Sequence, residues 1–363
     1  MSALESPVRV LHVIDTSRIG GPGKTVLNSA RFIDPRRFQI HVASFVPADA
    51  PRNEFAAAAL AAGVPYFPLV EARRFEAGHV ARLREYVDAQ RIEIAHGHGY
   101  RSDVMCWIAT RGRPVAMVTT HHGWIRNTPK QAAFATGARL LSGLFDGVEA
   151  VSAKLFEEVP LLARRRGRAE IVHNAIVLED YPVRGVRAAE RTALGVAADE
   201  FLLGVVGRLS VEKGALEMLD AMAALRAGPV RVQLRFVGEG PLQAELQTKI
   251  SALGLAQRVA IVPHRPDVRP IYEALDALVC PSRTEGLSNV IMEAMAYAKP
   301  VLATRVGGNP ELVDAPHTGL LVPPQEPSAM AEAISMLVSS ADRGSAMGAA
   351  GRQRVEATFS FHT

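Results

Sequence analysis

Two short segments of the chain carry side chains able to grip a polyanion flanked by hydroxyl groups. The first is Gly207-Arg208-Leu209-Ser210-Val211-Glu212-Lys213-Gly214, which begins where an apolar run ends and leads into a helical pattern. Arg208 and Lys213 can hold a diphosphate from two sides, the guanidinium through a forked contact and the ammonium as a point charge. The start of the helix adds backbone amides and the favourable end of its dipole. The second segment is Glu285-Gly286-Leu287-Ser288-Asn289-Val290-Ile291-Met292-Glu293. A helix starting near Ser288 would point the amides of residues 287–290 at an anion. Glu285 and Glu293 can accept hydrogen bonds from hydroxyls at two separate places. A phosphate in the middle with polyols at both ends is the outline of a nucleotide sugar. Taken singly, each segment also reads blandly, as a charged surface loop or as a capped helix with one exposed glutamate.

Histidines at strand ends form a third group. Thr119-Thr120-His121-His122-Gly123-Trp124 closes one apolar run, and Ala95-His96-Gly97-His98-Gly99 closes another. A tandem histidine at a strand end is a candidate for work beside a reacting group. His96 reads equally well as core packing, and His173-Asn174-Ala175 as structural. Gly21-Pro22-Gly23-Lys24-Thr25 is similar to a phosphate-binding P-loop, but the glycine required five residues before Gly23 is Arg18.

Strands alternating with helices must position these groups. The first half reads as strands at Val8–Ile14, Gln39–Phe45, Val64–Leu69, Ile92–Ala95, Val115–Thr119, Val148–Val151 and Glu170–Val172. Helices fall between most of them, among them Thr25–Ile33, Val80–Gln90 and Asp103–Thr110. The pattern restarts with strands at Phe201–Val206, Val232–Val237, Val259–Val262, Ala277–Cys280, Val301–Thr304 and Leu320–Val322. Such alternation means parallel strands joined by crossovers, hence two doubly wound α/β sheets. Residues 174–200 are polar and weakly periodic and read as the linker. The two charged segments fall on corresponding strand–helix loops of the second sheet.

Composition narrows the field. At roughly 100–200 residues per domain, 363 residues suggest two domains. A net charge of +4 is too mild to argue for nucleic acid. The basic knot Ala163-Arg164-Arg165-Arg166-Gly167-Arg168 suits either a solvated helix end or acidic headgroups. Two distant cysteines imply no disulfide framework and fit a reducing compartment. No apolar run approaches the ~18 residues of a membrane span, and the N-terminus lacks a signal-peptide pattern.

The C-terminal half resembles the retaining glycosyltransferases of family 4. The resemblance is carried by Gly207-Arg208 with Lys213-Gly214, Val237-Gly238-Glu239-Gly240-Pro241, Glu285 and Glu293 in E-x7-E spacing, Val306-Gly307-Gly308-Asn309-Pro310-Glu311, and Gly319-Leu320-Leu321-Val322. It implies the GT-B fold, with two Rossmann-like domains facing across a cleft. Residues 1–183 would bind the acceptor and 184–345 the donor, and 346–363 would begin a short or truncated crossover helix. Arg208 and Lys213 would bind the diphosphate, Glu285 the transferred sugar and Glu293 the ribose. Gly286, Leu287, Ser288, Asn289 and Val290 would meet the phosphates, His264 and Arg265 the base, with Gly207 and Gly238 in the neighbouring loops. Gly20 and Gly21 would approach the donor phosphate from the other domain. His122, preferred over His121 because Gly123 follows it, would lie near the reacting sugar, with His96, His98, His121 and Trp124 toward the acceptor. Catalysis would rest on His122, Glu285, Arg208 and Lys213, with no obligatory metal or cofactor.

The expected reaction moves a sugar, from a UDP-sugar first and a GDP-sugar second, to a sugar or lipid-linked hydroxyl in cell-surface polysaccharide or glycolipid synthesis. Leu140-Leu141, Phe145 and Arg164–Arg166 suggest a membrane surface as a further partner of a cytoplasmic protein. Nucleic acid is not expected. A GT-B epimerase and a non-catalytic nucleotide-sugar-binding protein remain as alternatives.

Overall fold

The computed structural model describes residues 6–16, 19–48, 53–71, 78–225 and 231–362. The chain divides into two compact units, Met1–Asn174 and Ala175–Thr363.

The first unit is built on β1 (Val8–Ile14), β2 (Phe38–Pro47), β3 (Tyr66–Glu71), β4 (Ile94–His98), β5 (Ala116–His121), β6 (Gly147–Ala150) and β7 (Ala169–Ile171). Their order is β3-β2-β1-β4-β5-β6-β7, and every pairing is parallel. Side chains alternate faces along a strand. Leu11 and Val13 therefore join Phe45, Leu83 and Phe145 in one core layer, while Val10 and Ile14 join Val26, Ile40 and Phe55 in the other. Position 12, between Val10 and Ile14 on the second face, is histidine.

The second unit carries β8 (Phe201–Val206), β9 (Val232–Val237), β10 (Val259–Val262), β11 (Ala277–Cys280), β12 (Val301–Thr304) and β13 (Gly319–Val322). The order is β10-β9-β8-β11-β12-β13, again parallel throughout. β9, β11 and β12 are buried at every position, as strands covered by helices on both faces must be. Both sheets reverse direction between their first and fourth strands, and ligands bind such sheets at the strand C-terminal ends around that reversal.

Four expectations from sequence need adjusting. The helix after β1 runs Gly21–Phe32 and not from Thr25, because Pro22 sits in its first turn, where a missing N–H costs nothing and its φ is already helical. The weakly periodic stretch expected as a linker is ordered and belongs to the second unit. Arg187 and Arg191 on the helix Arg187–Ala193 both pair with Asp276, so the division falls at 174/175, ahead of 183/184. The C-terminal helix spans Ala341–Thr358 and so begins before residue 346. Beyond it the chain pairs with the start of its own unit, with Ile176 N–H bonded to the Phe359 carbonyl and Phe361 N–H to the Ile176 carbonyl. Finally, Phe145 is fully buried and Leu141 packs on the core, so neither can belong to an exposed patch.

Candidate functional site

In the second unit, the loops after β8 and β11 meet at the sheet's reversal. Lys213 closes a single 3-10 turn, Val211–Lys213, and its Nζ donates to Glu285 Oε1 at 2.7 Å. Ser282 Oγ donates to the same oxygen at 2.7 Å. The Glu285 side chain is only 8% exposed and that of Lys213 33%, so carboxylate is sunk beneath ammonium. Burial alone would lower the Lys213 pKa, but Glu285, Cys280 and Glu212 outweigh it and the net shift is upward. The lysine is thus held charged. Arg208, at the end of β8, lies half in solvent and is anchored by Glu212, whose carboxylate also accepts from Ser210 Oγ at 2.7 Å. Each of the two cations is therefore pinned by a buried carboxylate of its own.

Backbone approach sets this geometry. Gly214 takes φ +67°, and a Cβ there would collide with the Pro281 carbonyl, so the Lys213 loop can lie against the β11 loop only with glycine. Gly307 at φ +50° is pressed in the same way against the Glu285 carbonyl, and Gly308 N–H bonds to the Gly286 carbonyl at 2.7 Å. The Gly-Gly segment after β12 is thus a brace for the Glu285 loop. Gly207 and Gly238 close β8 and β9 as neighbours, with Gly207 N–H donating to the Val237 carbonyl.

The helix after the Glu285 loop runs Asn289–Ala296 with Ser288 at its N-cap. Gly286, Leu287 and Ser288 are buried just ahead of it, and Asn289 and Val290 open its first turn. Glu293 faces inward and is 2% exposed. Its carboxylate accepts from Tyr272 Oη at 2.7 Å and from Tyr181 Oη at 3.2 Å, an arrangement that raises the pKa of both phenols through burial first and the carboxylate second. Arg265 follows β10 and pairs with Glu190, and His264 lies beside it, half-buried.

In the first unit, the same reversal point is lined with imidazoles. Gly20 caps the helix that begins at Gly21. The β1–β4 register sets His12 opposite His96 and Ile14 opposite His98. His96 and His98 are two residues apart, so period two brings all three rings to one face. His12 Nδ1 lies 2.8 Å from His98 Nε2, and His98 Nδ1 lies 2.9 Å from His122 Nε2. His96 Nε2 lies 2.7 Å from Thr120 Oγ1, which donates to Glu149 at 2.8 Å. Thr120 spends its proton on Glu149, so His96 must be the donor to it and carries its proton on Nε2. Burial keeps these rings neutral. His96 is pushed down to about 3 by burial and by His122, and His122 to about 4 by burial and by His121. His121 sits on the opposite face of β5, packed edge-on against Trp124 at 4.8 Å, and burial holds it at about 4. His12, Glu212, Ser282, Tyr181 and Tyr272 belong to these arrangements and do not stand out in the sequence.

His12, His96 and His98 each offer a ring nitrogen within 4.8 Å of the others. Metal ligands must aim lone pairs at one point. Here His96 lies face-on to His98, with centroids 4.4 Å apart and planes 17° from parallel, so its nitrogens do not point where those of His98 do. Hydrogen bonding and stacking describe the cluster better than coordination.

Residues 19–180 match the family described as Glycosyltransferase Family 4, and residues 200–340 match Glycosyl transferases group 1. A D-inositol 3-phosphate glycosyltransferase 1 of Catenulispora acidiphila is 30% identical over 282 residues, which cover 72% of this chain and 67% of that protein. A D-inositol 3-phosphate glycosyltransferase of Nocardia farcinica is 30% identical over 275 residues, covering 70% of this chain, and the chain spans 61% of that relative's length. Anabaena HepE, solved in complex with UDP and glucose, shares the fold at a TM-score of 0.85 and 22% identity, over 98% of this chain and 96% of that one. With two Rossmann-like parallel sheets of GT-B type and both halves matched, the chain belongs to the family 4 glycosyltransferases.

Proposed function

We propose that the protein is a retaining glycosyltransferase that uses a nucleoside-diphosphate sugar, with a UDP-sugar as first choice, and transfers the sugar to a hydroxyl acceptor. The observation that carries this reading is the Lys213–Glu285 pair across the β8/β11 reversal, with Arg208 beside it. When the sugar–phosphate bond breaks, negative charge grows on the departing diphosphate. Cations already fixed in place stabilise that charge without reorganising. Arg208 and Lys213 supply this, so the reading calls for no metal. In this reading Glu285, held by Lys213 and Ser282, accepts from hydroxyls of the sugar, and Glu293 serves the ribose. His122 is read as a further catalytic group, and the leaving phosphate takes the acceptor proton. The complexes of Anabaena HepE with UDP and with UDP-glucose support the choice of donor.

The test has two stages. A thermal-shift screen against UDP- and GDP-sugars should raise the unfolding temperature with one donor class, because ligand binding to the folded state stabilises it. Transfer assays should then begin with a phosphorylated cyclitol, given the names of the curated relatives. Glu285→Gln and Lys213→Ala transferring at the unmodified rate would defeat the site assignment. Donor binding with no turnover on any sugar or lipid-linked acceptor would favour a binding protein instead.

A membrane-bound acceptor is supported by a separate observation. Leu140, Leu144, Leu161 and Leu162 are each about half or more exposed, next to Arg164 and Arg165. No helix among the described residues is long and apolar enough to cross a membrane. Leucines and arginines of this kind suit the surface of an anionic bilayer in a polysaccharide or glycolipid pathway. Sedimentation with anionic but not zwitterionic vesicles, weakened by salt, is the expected result.

A further inference from the structure

Three of the imidazoles in the first unit form a line. Between His12 and His98 the N···N distance is 2.8 Å and the centroid distance 5.1 Å; between His98 and His122 they are 2.9 and 5.2 Å. A ring nitrogen lies about 1.15 Å from its centroid, so these pairs of distances agree only when the hydrogen bond runs along the line joining the two centres, the favourable in-plane geometry. The planes are within 24° and 29° of parallel. The rings are therefore edge to edge and nearly coplanar, whereas His96 covers them face-on.

We propose that His12, His98 and His122 act as one tautomer-coupled imidazole chain, in which His12 and His98 are positioning residues that set which form of His122 a ligand meets. A neutral imidazole has one N–H and one bare nitrogen. Two such bonds in series allow only two neutral states. In one, every N–H points from His122 toward His12 and His122 Nδ1 is bare. In the other, every N–H points the opposite way and Nδ1 carries the proton. His122 Nδ1 is buried and has no partner among the described residues, so the chain terminates at an atom left for a ligand hydroxyl. A hydroxyl that donates there selects the first state, and one that accepts selects the second. The switch conserves protons. One is taken up from water at His122 Nδ1, the His122 Nε2 proton passes to His98 Nδ1, the His98 Nε2 proton passes to His12 Nδ1, and the His12 Nε2 proton is returned to water. No ring holds a charge afterwards. Burial disfavours the cationic form of all three rings, in keeping with a neutral chain.

The consequence for catalysis rests on the transferase reading, but the chain itself can be tested without it. Tag-free, full-length protein with 15N-labelled histidine rings should show 15N–15N couplings across both hydrogen bonds at neutral pH. His12→Leu should abolish the coupling to His98 and change the tautomer ratio of His122, two rings away. Absence of either coupling in the unmodified protein, or unchanged His122 signals in a His12→Leu variant with a native melting curve, would overturn the chain. Should His12→Leu fail to fold, His12→Asn keeps a hydrogen-bonding atom near the Nδ1 position but cannot pass a proton on. Its amide can accept or donate but relays no proton, so it should change the His122 tautomer ratio, and an unaltered mixture would count against the proposal. With an active donor–acceptor pair, His12→Leu should lower kcat about tenfold with an unchanged donor KM, and His12→Asn should recover part of the loss. Couplings present in a protein that transfers no sugar would sink the transferase reading and leave the chain standing. Transfer without couplings would do the reverse.

Discussion

The two sheets repeat one strand order through six positions, yet they line the point of reversal with opposite kinds of chemistry. In the second unit, β8 and β11 bring fixed charges together, with Lys213 on Glu285 and Arg208 on Glu212. In the first, β1 and β4 bring together His12, His96 and His98, which burial keeps neutral. Topology decides where side chains converge. Whether each group has a counter-charge decides whether it stays ionised in that place. A charged edge suits a ligand that gains charge as it leaves. A neutral, hydrogen-bonding edge suits hydroxyls, whose protons it can count and direct.

The sharpest way to break this contrast is to remove a charge from the second unit. Lys213→Ala should lower kcat/KM by about 10²–10³, the usual loss for one preorganised electrostatic contact at a reacting centre. His317→Ala, an exposed control far from the pair in sequence, should change it little. Next in size is the brace. Gly307→Ala forces a side chain into a left-handed conformation against the Glu285 carbonyl and should cost on the order of 1–3 kcal/mol, read by urea unfolding, with a matching fall in transfer activity.

Acidity separates the units more gently. His96, His121 and His122 have folded pKa values of about 3, 4 and 4, all below the unfolded value of 6.5. The unfolded chain therefore binds protons first, and stability falls as pH drops from about 6.5 toward 4. The slope is about 1.4 kcal/mol per pH unit for each ring that titrates independently. Lys213 has the opposite sign. Its folded pKa is raised, so its pairing energy is complete below the unfolded value of 10.5 and is lost as pH rises through the folded value. Hydrogen exchange should show the first unit opening on the acid side while the second holds. Equal acid sensitivity in both would remove the distinction. The smallest effect is expected from Tyr272→Phe, which deletes one hydrogen bond to Glu293. UDP affinity measured by calorimetry should fall by only several-fold, about 1 kcal/mol.

Much of the frame is legible in the chain before folding. β1, β8, β9, β10, β11 and β12 run between the residues that their largely apolar stretches mark, because strands covered by helices are predominantly apolar. The positions of Arg208, Lys213 and Glu285 are legible too, since each lies in the loop that follows such a strand, beside glycine. What supports them is not. Glu212 looks like one more surface acid until the 3-10 turn carries it under Arg208. Tyr181 and Tyr272 lie far from Glu293 in the chain. His12 is a polar residue in a mostly oily strand, and its partner His98 is 86 positions away, brought near only by the β1–β4 register. The stretch around Arg187 and Arg191 reads as a connector because ionic contacts to Asp276, not an apolar stripe, hold it in place.

The pairing of Ile176 with Phe359 and Phe361 has a further consequence for how such a protein can be recombined. The segment that enters the second unit and the segment that leaves its last helix are hydrogen-bonded to each other, so the two ends of the unit lie together. A unit that closes on its own ends can be exchanged at the 174/175 division without disturbing its packing. The unit that carries the Lys213–Glu285 pair can therefore stay constant while the imidazole-lined unit is traded for another.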